Sequence, residues 1–83
     1  MNISVFLAPG FEEIEALTVV DYLRRAGQNV TTVSVPEDGC VDEQIVVKGS
    51  HGIPVTADIL HKDYIKKLDG ELTDAIYFPG AMP

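Results

Sequence analysis

The fold is decided by one stretch near the start of the chain, Ile3-Ser4-Val5-Phe6-Leu7-Ala8-Pro9-Gly10-Phe11-Glu12-Glu13-Ile14-Glu15-Ala16. Its opening run, which ends at Ala8, is almost continuously apolar, as is typical of a parallel strand covered on both faces. Pro9-Gly10 ends that strand, and the acidic residues that follow favour a helix start, because a helix N-terminus attracts negative charge. The stretch therefore predicts a buried strand that leads directly into a helix.

A helix is predicted over residues 11–26, because apolar residues recur there at helical spacing and form one stripe: Ala16, Val19, Val20 and Leu23. On a helical wheel, Glu12 lies within this stripe and Glu15 lies at its edge. Gly27 follows as the residue whose left-handed conformation ends the helix. Residues 30–35 form the next strand, and the order strand, helix, strand predicts a parallel pair with a right-handed crossover.

The remaining sequence predicts a hairpin, a short helix and one more strand. Short strands at residues 44–48 and 53–56 flank a glycine-containing turn. Asp58 is expected to cap a helix over residues 59–68, and residues 74–78 form the last strand. The pattern as a whole predicts an α/β fold with a doubly wound, mostly parallel sheet between helical layers.

No helix pattern follows the last predicted strand, although the strands of such a sheet need cover on both faces. Ligand sites of these folds lie beyond the carboxyl ends of the strands, which is where this sequence ends. We therefore expect residues 1–83 to be the N-terminal half of one larger domain. A compact half-size domain that pairs with itself is the alternative.

Composition and charge exclude several classes of function. The chain carries 13 acidic and 6 basic residues, a formal net charge of -7, which disfavours a nucleic-acid partner because phosphates attract clustered positive charge. A single cysteine forms neither an internal disulfide nor a multi-cysteine metal site. No apolar run approaches the roughly 20 residues that span a bilayer, and the N-terminus lacks a basic leader. We expect a cytoplasmic protein without a membrane partner.

Three carboxylates open the predicted helix, namely Glu12, Glu13 and Glu15. Their ordinary role is to stabilise the positive end of the helix dipole in solvent. The same turn lies beyond the carboxyl end of the first strand, where a partly desolvated carboxyl can keep a proton and donate a hydrogen bond to an anionic nucleophile. Gly80 and Ala81 follow the last strand and offer backbone N–H groups, which serve either an oxyanion hole or simply a turn.

Cys40 and the two histidines carry weaker signals. Cys40 lies among carboxylates in residues 37–43, which favour the neutral thiol, so it is interpreted as a loop thiol. His51 lies in a turn and His61 on a short helix, and we expect no second and third metal ligand near either of them. The early loop matches no glycine-rich phosphate-binding signature. We expect no metal and no cofactor.

Four segments of the sequence match the motifs of one family in the family's order: residues 5–16, 21–27, 50–58 and 74–81. They resemble the ThiJ/PfpI family, which includes protein deglycases and PfpI-type intracellular proteases and shares the class I glutamine amidotransferase-like fold. The first segment and the Arg-Arg-Ala-Gly helix end are fairly specific. The closing strand is also characteristic, although the family has Pro-Gly-Gly where this chain has Pro79-Gly80-Ala81.

The resemblance implies a flavodoxin-like, three-layer α/β/α domain that is usually dimeric. It implies that Glu15 hydrogen-bonds a reactive cysteine on a strand-to-helix elbow, and that the backbone at Gly80 and Ala81 helps to form the oxyanion hole. In the family, this cysteine and a histidine lie downstream of the matched residues, and Cys40 does not align with the nucleophile. The family often has Arg where this chain has His51, so a role in anion binding is weakened here.

Two classes of function are left open. In the first, the complete protein is a cysteine-dependent hydrolase or lyase, such as a deglycase or glyoxalase, that acts on small reactive carbonyls or their adducts. An intracellular cysteine protease is a variant of this class. In the second, the protein is a non-catalytic stress-response protein, a redox sensor or chaperone, whose cysteine oxidises without turnover. In either case we expect residues 1–83 to need the C-terminal half of the domain as a partner, and the complete protein to form a homodimer.

Overall fold

A computed structural model describes residues 1–36, 44–67 and 74–80 of the chain. In chain order its elements are β1 (Asn2–Leu7), α1 (Glu13–Arg25), β2 (Asn29–Ser34), β3 (Val46–Lys48), β4 (Pro54–Thr56), β5 (Ile59–Leu60), α2 (His61–Lys67) and β6 (Ala75–Tyr77). The predicted strands are present, with ends shifted by one or two residues. Neither helix in the described ranges has the length and apolar surface of a membrane-spanning segment.

Four of the strands form a parallel sheet in the order β5-β2-β1-β6, and β3 and β4 form a separate antiparallel hairpin. β1 lies in the interior of the sheet, paired with β2 along its whole length and with β6 through Ile3, Ser4 and Val5. The β1-α1-β2 unit is the predicted parallel crossover unit. Because parallel strands share a direction, the carboxyl ends of β1, β2 and β6 meet at one edge of the sheet.

The main core lies between α1 and the sheet. Alternate side chains of β1 pack against the buried stripe of α1, and the residues that meet there include Ile3, Val5, Leu7, Ala16 and Val20. Phe6 points to the opposite face, where its ring meets Tyr64 of α2 and Phe78 edge-on, at centroid distances of 5.2 and 4.8 Å. Helices therefore lie on both faces of the sheet, as predicted.

α1 begins two residues later than predicted, at Glu13. The Phe11 N–H donates to the Ala8 carbonyl at 3.0 Å, and the Glu12 N–H donates to the Gly80 carbonyl at 2.8 Å. These bonds hold both residues in loops, so Glu12 precedes the helix and is only half-buried. The prediction that Glu12 lies within the apolar stripe is wrong. Glu13 takes that place and is only 3% exposed.

The other end of α1 agrees with the prediction. Gly27 has a φ of +82°, the left-handed conformation in which a side chain would be strained. Its N–H donates to the Arg24 carbonyl at 3.1 Å, and the Gln28 N–H donates to the Leu23 carbonyl at 3.0 Å. This pair of bonds is the Schellman arrangement, which satisfies carbonyls that the helix itself leaves without partners.

The helix predicted over residues 59–68 begins later, because its first two residues form β5 and pair with β2. Asp58 does not cap it. Asp58 Oδ2 instead accepts hydrogen bonds from the Thr32 N–H, the Thr32 hydroxyl and the Arg24 guanidinium, at 2.9, 3.0 and 2.8 Å. The cap prediction is therefore wrong, because a strand distant in sequence lies within reach of this carboxylate. Residue 68 lies outside the described residues.

Candidate functional site

The candidate site lies at the edge of the sheet where β1 and β6 end, beside the first turn of α1. The loop after β1 bonds to the β3–β4 hairpin through the Gly10 N–H and the Lys48 carbonyl, 2.9 Å apart. The same loop bonds to the segment after β6 through the Glu12 N–H and the Gly80 carbonyl, 2.8 Å apart. These backbone bonds fix the start of α1 between the hairpin turn and the end of β6.

Glu15 faces the end of β6. Its Oε1 accepts a hydrogen bond from the Tyr77 hydroxyl and a long, weak one from the Gly80 N–H at 3.5 Å. A Cβ added at Gly80 would lie 3.5 Å from the second oxygen, Oε2, so the carboxylate is packed against this glycine. The structure thus brings together two of the three predicted site residues, Glu15 and Gly80. The third, Ala81, lies outside the described residues.

The fold buries the Glu13 side chain. Glu15, in contrast, is exposed in the part of the chain that the structure describes. Glu13 Oε2 accepts hydrogen bonds from the backbone N–H groups of His51 and Ile53, at 2.8 and 3.2 Å. Burial raises the pKa of Glu13, but hydrogen bonds from its own N–H and from those of His51 and Ile53 outweigh burial and lower the pKa from 4.5 to about 2. Glu13 is therefore an ionised anchor between α1 and the hairpin turn.

The close packing of Glu13 also explains a glycine. A Cβ at Gly49 would lie 2.3 Å from Glu13 Cδ, far inside any normal contact distance. Sequence reasoning missed this role for Glu13. The signal was present, since Glu13 precedes Ala16 by three residues and Val20 by seven, which is the spacing of one helix face. This signal was missed because the helix was predicted to begin at residue 11, and Glu12, which has a similar spacing to Ala16 and Val19, was placed in the stripe instead.

His51 lies in the hairpin turn, close to two carboxylates. Its Nδ1 is 3.2 Å from Glu13 Oε1 and 3.5 Å from Glu12 Oε1, and ligand atoms of all three residues fall within 4.8 Å of one another. The expectation that no second and third ligand lies near His51 is therefore wrong. The cluster is held by hydrogen bonds, because Glu13 accepts the N–H groups of His51 and Ile53, and the Ser50 hydroxyl lies within hydrogen-bond distance of Glu12 and Glu13.

The same cluster lacks the geometry of a serine–histidine–carboxylate triad. In a triad the serine and the carboxylate bond to opposite nitrogens of the imidazole, so that a proton can pass through the ring. Here Ser50 Oγ and Glu13 Oε1 both approach Nδ1 of His51, at 3.0 and 3.2 Å. We therefore interpret these residues as the support of the hairpin turn.

The remaining candidates lie elsewhere. His61 begins α2, and its ring meets Phe6 edge-on at a centroid distance of 6.3 Å. Cys40 lies outside the described residues, so its interpretation as a loop thiol stays a prediction. Tyr77 is a site residue that the sequence did not indicate, because nothing local to β6 shows that its hydroxyl meets Glu15. Within the described ranges, the candidate site consists of Glu15, Tyr77 and Gly80.

Known proteins are similar to this chain in sequence and in fold. The chain is 36% identical over 77 residues to Protein DJ-1 homolog B of Arabidopsis thaliana, a match that covers 93% of this chain and 15% of that protein. The structure of oxidized Toxoplasma gondii DJ-1 matches with a TM-score of 0.77 and 40% identity, over 99% of this chain and 39% of that one. A DJ-1 superfamily protein from Salmonella typhimurium matches with a TM-score of 0.76 and 35% identity, over 96% of this chain and 38% of that one.

The chain thus spans less than half of the length of each of these relatives. The match to their fold agrees with the parallel sheet and flanking helices described above, and it confirms the predicted flavodoxin-like α/β class. The model of the DJ-1/PfpI family, which is also called ThiJ/PfpI, matches residues 1–83. On the evidence of its sequence and its fold, this chain belongs to the DJ-1/PfpI family.

Proposed function

We propose that this chain supplies the glutamate side of a cysteine-dependent site that acts on small reactive carbonyls, as a deglycase or glyoxalase does. The observation that carries the proposal is Glu15, held where β1 and β6 end by the Tyr77 hydroxyl and the Gly80 N–H. Folds of this type bind their ligands at this edge of the sheet. We infer from the family that the nucleophilic cysteine follows residue 83 in the complete domain.

The proposed reaction begins when the cysteine thiolate adds to the carbonyl carbon of the substrate. As the C–S bond forms, the π electrons of the carbonyl move to its oxygen, which becomes an oxyanion. Glu15, when it carries a proton, donates a hydrogen bond to the thiolate and so favours the ionised nucleophile before attack. Backbone N–H groups at Gly80 and Ala81 stabilise the oxyanion.

The proposal includes the rest of the domain as a partner of β6. In the described sheet β6 is an edge strand, and Ile76 and Phe78 are 53% and 64% exposed. An unpaired edge with large apolar side chains needs cover, because it otherwise pairs with other chains. We expect the C-terminal half of the domain to cover this edge, and the complete protein to be a cytoplasmic homodimer.

The test measures consumption of glyoxal, a two-carbon dicarbonyl, by the full-length protein and its Glu15→Ala variant. We expect Glu15→Ala to lower kcat/KM by about 10²-fold or more, the usual loss when a side chain that donates or accepts a proton in the reaction is removed. Asp21→Ala is the matched control, because Asp21 is an exposed carboxylate farther along α1. Equal activity in the Glu15 and Asp21 variants would remove Glu15 from the site.

Redox sensing is the second candidate, and one observation favours it: the 40% identical Toxoplasma gondii DJ-1 is known in an oxidized state. A sensor would consume no glyoxal, but its cysteine would oxidise faster than a free thiol in peroxide. Mass spectrometry detects this as a gain of oxygen on the cysteine peptide. A protein that neither consumes glyoxal nor reacts selectively with peroxide would contradict both candidates.

A further inference from the structure

We propose that Tyr77 is a positioning residue of this site, which holds Glu15 by Oε1 and leaves Oε2 as the oxygen that faces the reacting thiol. The inference rests on the proposed function. It begins from the direction of two hydrogen bonds. The Tyr77 hydroxyl and the Gly80 N–H, which lie on either side of Phe78 and Pro79, both donate to Oε1 of Glu15.

Two donors on one oxygen make the two oxygens of the Glu15 carboxyl unequal. A proton on Oε1 would meet the Gly80 N–H and displace the hydrogen bond that Tyr77 donates, so the neutral acid keeps both bonds only with its proton on Oε2. Oε2 lies on the Gly80 side, 3.5 Å from the position that a Cβ would occupy there. A protonated Glu15 therefore donates its hydrogen bond from one defined oxygen, toward the segment predicted to form the oxyanion hole.

Tyr77 is suited to this task because its ring is anchored. Tyr77 is the last residue of β6, stands in register with Val5 of β1, and packs against the core between the sheet and α1. The next residue, Phe78, contacts Phe6 on the opposite face, as the alternation of a strand requires. The partly buried ring of Tyr77 thus packs against the core, and its hydroxyl reaches a carboxylate 62 residues earlier in the chain.

The electrostatics of the pair agree with this geometry. While Glu15 is ionised, the hydrogen bond to it, burial, and its negative charge raise the pKa of Tyr77 above its ordinary value of 10.0. The phenol therefore stays neutral, and stays a donor, over the pH range in which a cysteine ionises. Phenylalanine would keep the ring and its packing but would lack the donor, so Tyr77→Phe isolates the hydrogen bond.

The test is Tyr77→Phe in the full-length protein, with Tyr22→Phe as the matched control, because Tyr22 is 70% exposed on α1. The first readout is the pH profile of alkylation of the reactive thiol by iodoacetamide. We expect Tyr77→Phe to change the thiolate fraction at neutral pH by roughly two- to tenfold, because it removes the hydrogen bond that holds Glu15 by Oε1. Tyr22→Phe is expected to keep the original profile, and Tyr77→Phe to keep the original Tm.

The second readout is the titration of the Tyr77 phenol, obtained as the ultraviolet difference between the original protein and Tyr77→Phe. We expect a midpoint above 10.0 that moves down in a Glu15→Ala background. A reactive thiol whose pH profile is the same in Tyr77→Phe would overturn the role of Tyr77 and leave the proposed function standing. A phenol midpoint that Glu15→Ala does not move would also overturn it. Absence of a reactive thiol in the original protein would overturn the proposed function, and this inference with it.

Discussion

Glu13 and Glu15 stand two residues apart at the start of α1, and the structure surrounds them differently. Glu13 is buried and accepts hydrogen bonds from the backbone N–H groups of His51 and Ile53, which the hairpin turn holds in place. Glu15 is exposed, and its Oε1 accepts a hydrogen bond from the Tyr77 hydroxyl and a long one from the Gly80 N–H. A carboxylate surrounded by fixed donors stays ionised and serves the fold. A carboxylate with one oxygen left open can still bind another group, so the neighbours of a glutamate decide its role more than its place in the helix.

The largest effect on stability is expected from Glu13→Ala, which removes the acceptor of the His51 and Ile53 N–H groups. Buried donors without partners are costly, so we expect the Tm to fall by more than about 5 °C. Glu15→Ala is expected to change the Tm by less than about 2 °C, since its partners remain open to water. Thermal melts of both variants, followed by circular dichroism at neutral pH, make the comparison. Equal losses would contradict the contrast between the two carboxylates.

The control for that experiment uses the glycine packed against Glu13. Gly49→Ala places a Cβ where Glu13 Cδ lies only 2.3 Å away, so the variant must displace the carboxylate from its donors. We expect Gly49→Ala to lower the Tm in the original protein and to have much less effect in the Glu13→Ala background. Such coupling is the signature of two residues in direct contact. Additive losses would show that Gly49 is needed for another reason.

Acid sensitivity is expected to have an intermediate effect and to report Glu13. Its pKa is lowered from 4.5 to about 2 in the folded protein, so the unfolded chain binds the proton more tightly. The resulting stabilisation is complete above about pH 4.5 and is lost as the pH falls toward 2. Urea denaturation across this window should therefore show a steeper loss for the original protein than for Glu13→Gln. Parallel curves for the two proteins would contradict the assignment.

The smallest effect is expected at the ion pair between Arg24 and Asp58, which joins the end of α1 to the segment before β5. Arg24 Nη2 lies 2.8 Å from Asp58 Oδ2, but both side chains are 49% exposed. Water screens such a pair, so Arg24→Gln should cost less than about 1 kcal/mol in the free energy of unfolding. Urea denaturation at neutral pH measures it. A loss as large as that of Glu13→Ala would mean that exposure is a poor guide to the strength of these contacts.

The sequence predicted those parts of the fold whose signals are local. β1 is an apolar run, β2 is rich in the β-branched residues that favour strands, α1 has helical spacing, and Gly27 ends the helix in the conformation that glycine favours. The meeting of Glu15 with Gly80 could also be predicted, because parallel strands bring their carboxyl ends to one edge and the family motif names both positions. Local chemistry and sheet direction were enough for these elements.

The rest depends on contacts between segments far apart in the chain. Asp58 accepts hydrogen bonds from Thr32 of β2, and no local pattern distinguishes that partner from a helix N-terminus. The start of α1 is set by a bond from the Glu12 N–H to the Gly80 carbonyl, and it decides which glutamate is buried. The role of Tyr77 follows from the pairing of β6 with β1. Such pairings are tertiary contacts, and they override the local preference of a segment for helix or strand.

The pairing of β6 with β1 has a consequence for the protein as it leaves the ribosome. The β1-α1-β2 unit is complete at Ser34, and it leaves the ribosome before the later segments do. Tyr77 lies 62 residues after Glu15, and contacts between segments so far apart form late. In a nascent chain, Glu15 is therefore exposed before its two hydrogen-bond donors, Tyr77 and Gly80, have been synthesised. The order of translation therefore delivers Glu15 before the strand that carries its hydrogen-bond partner.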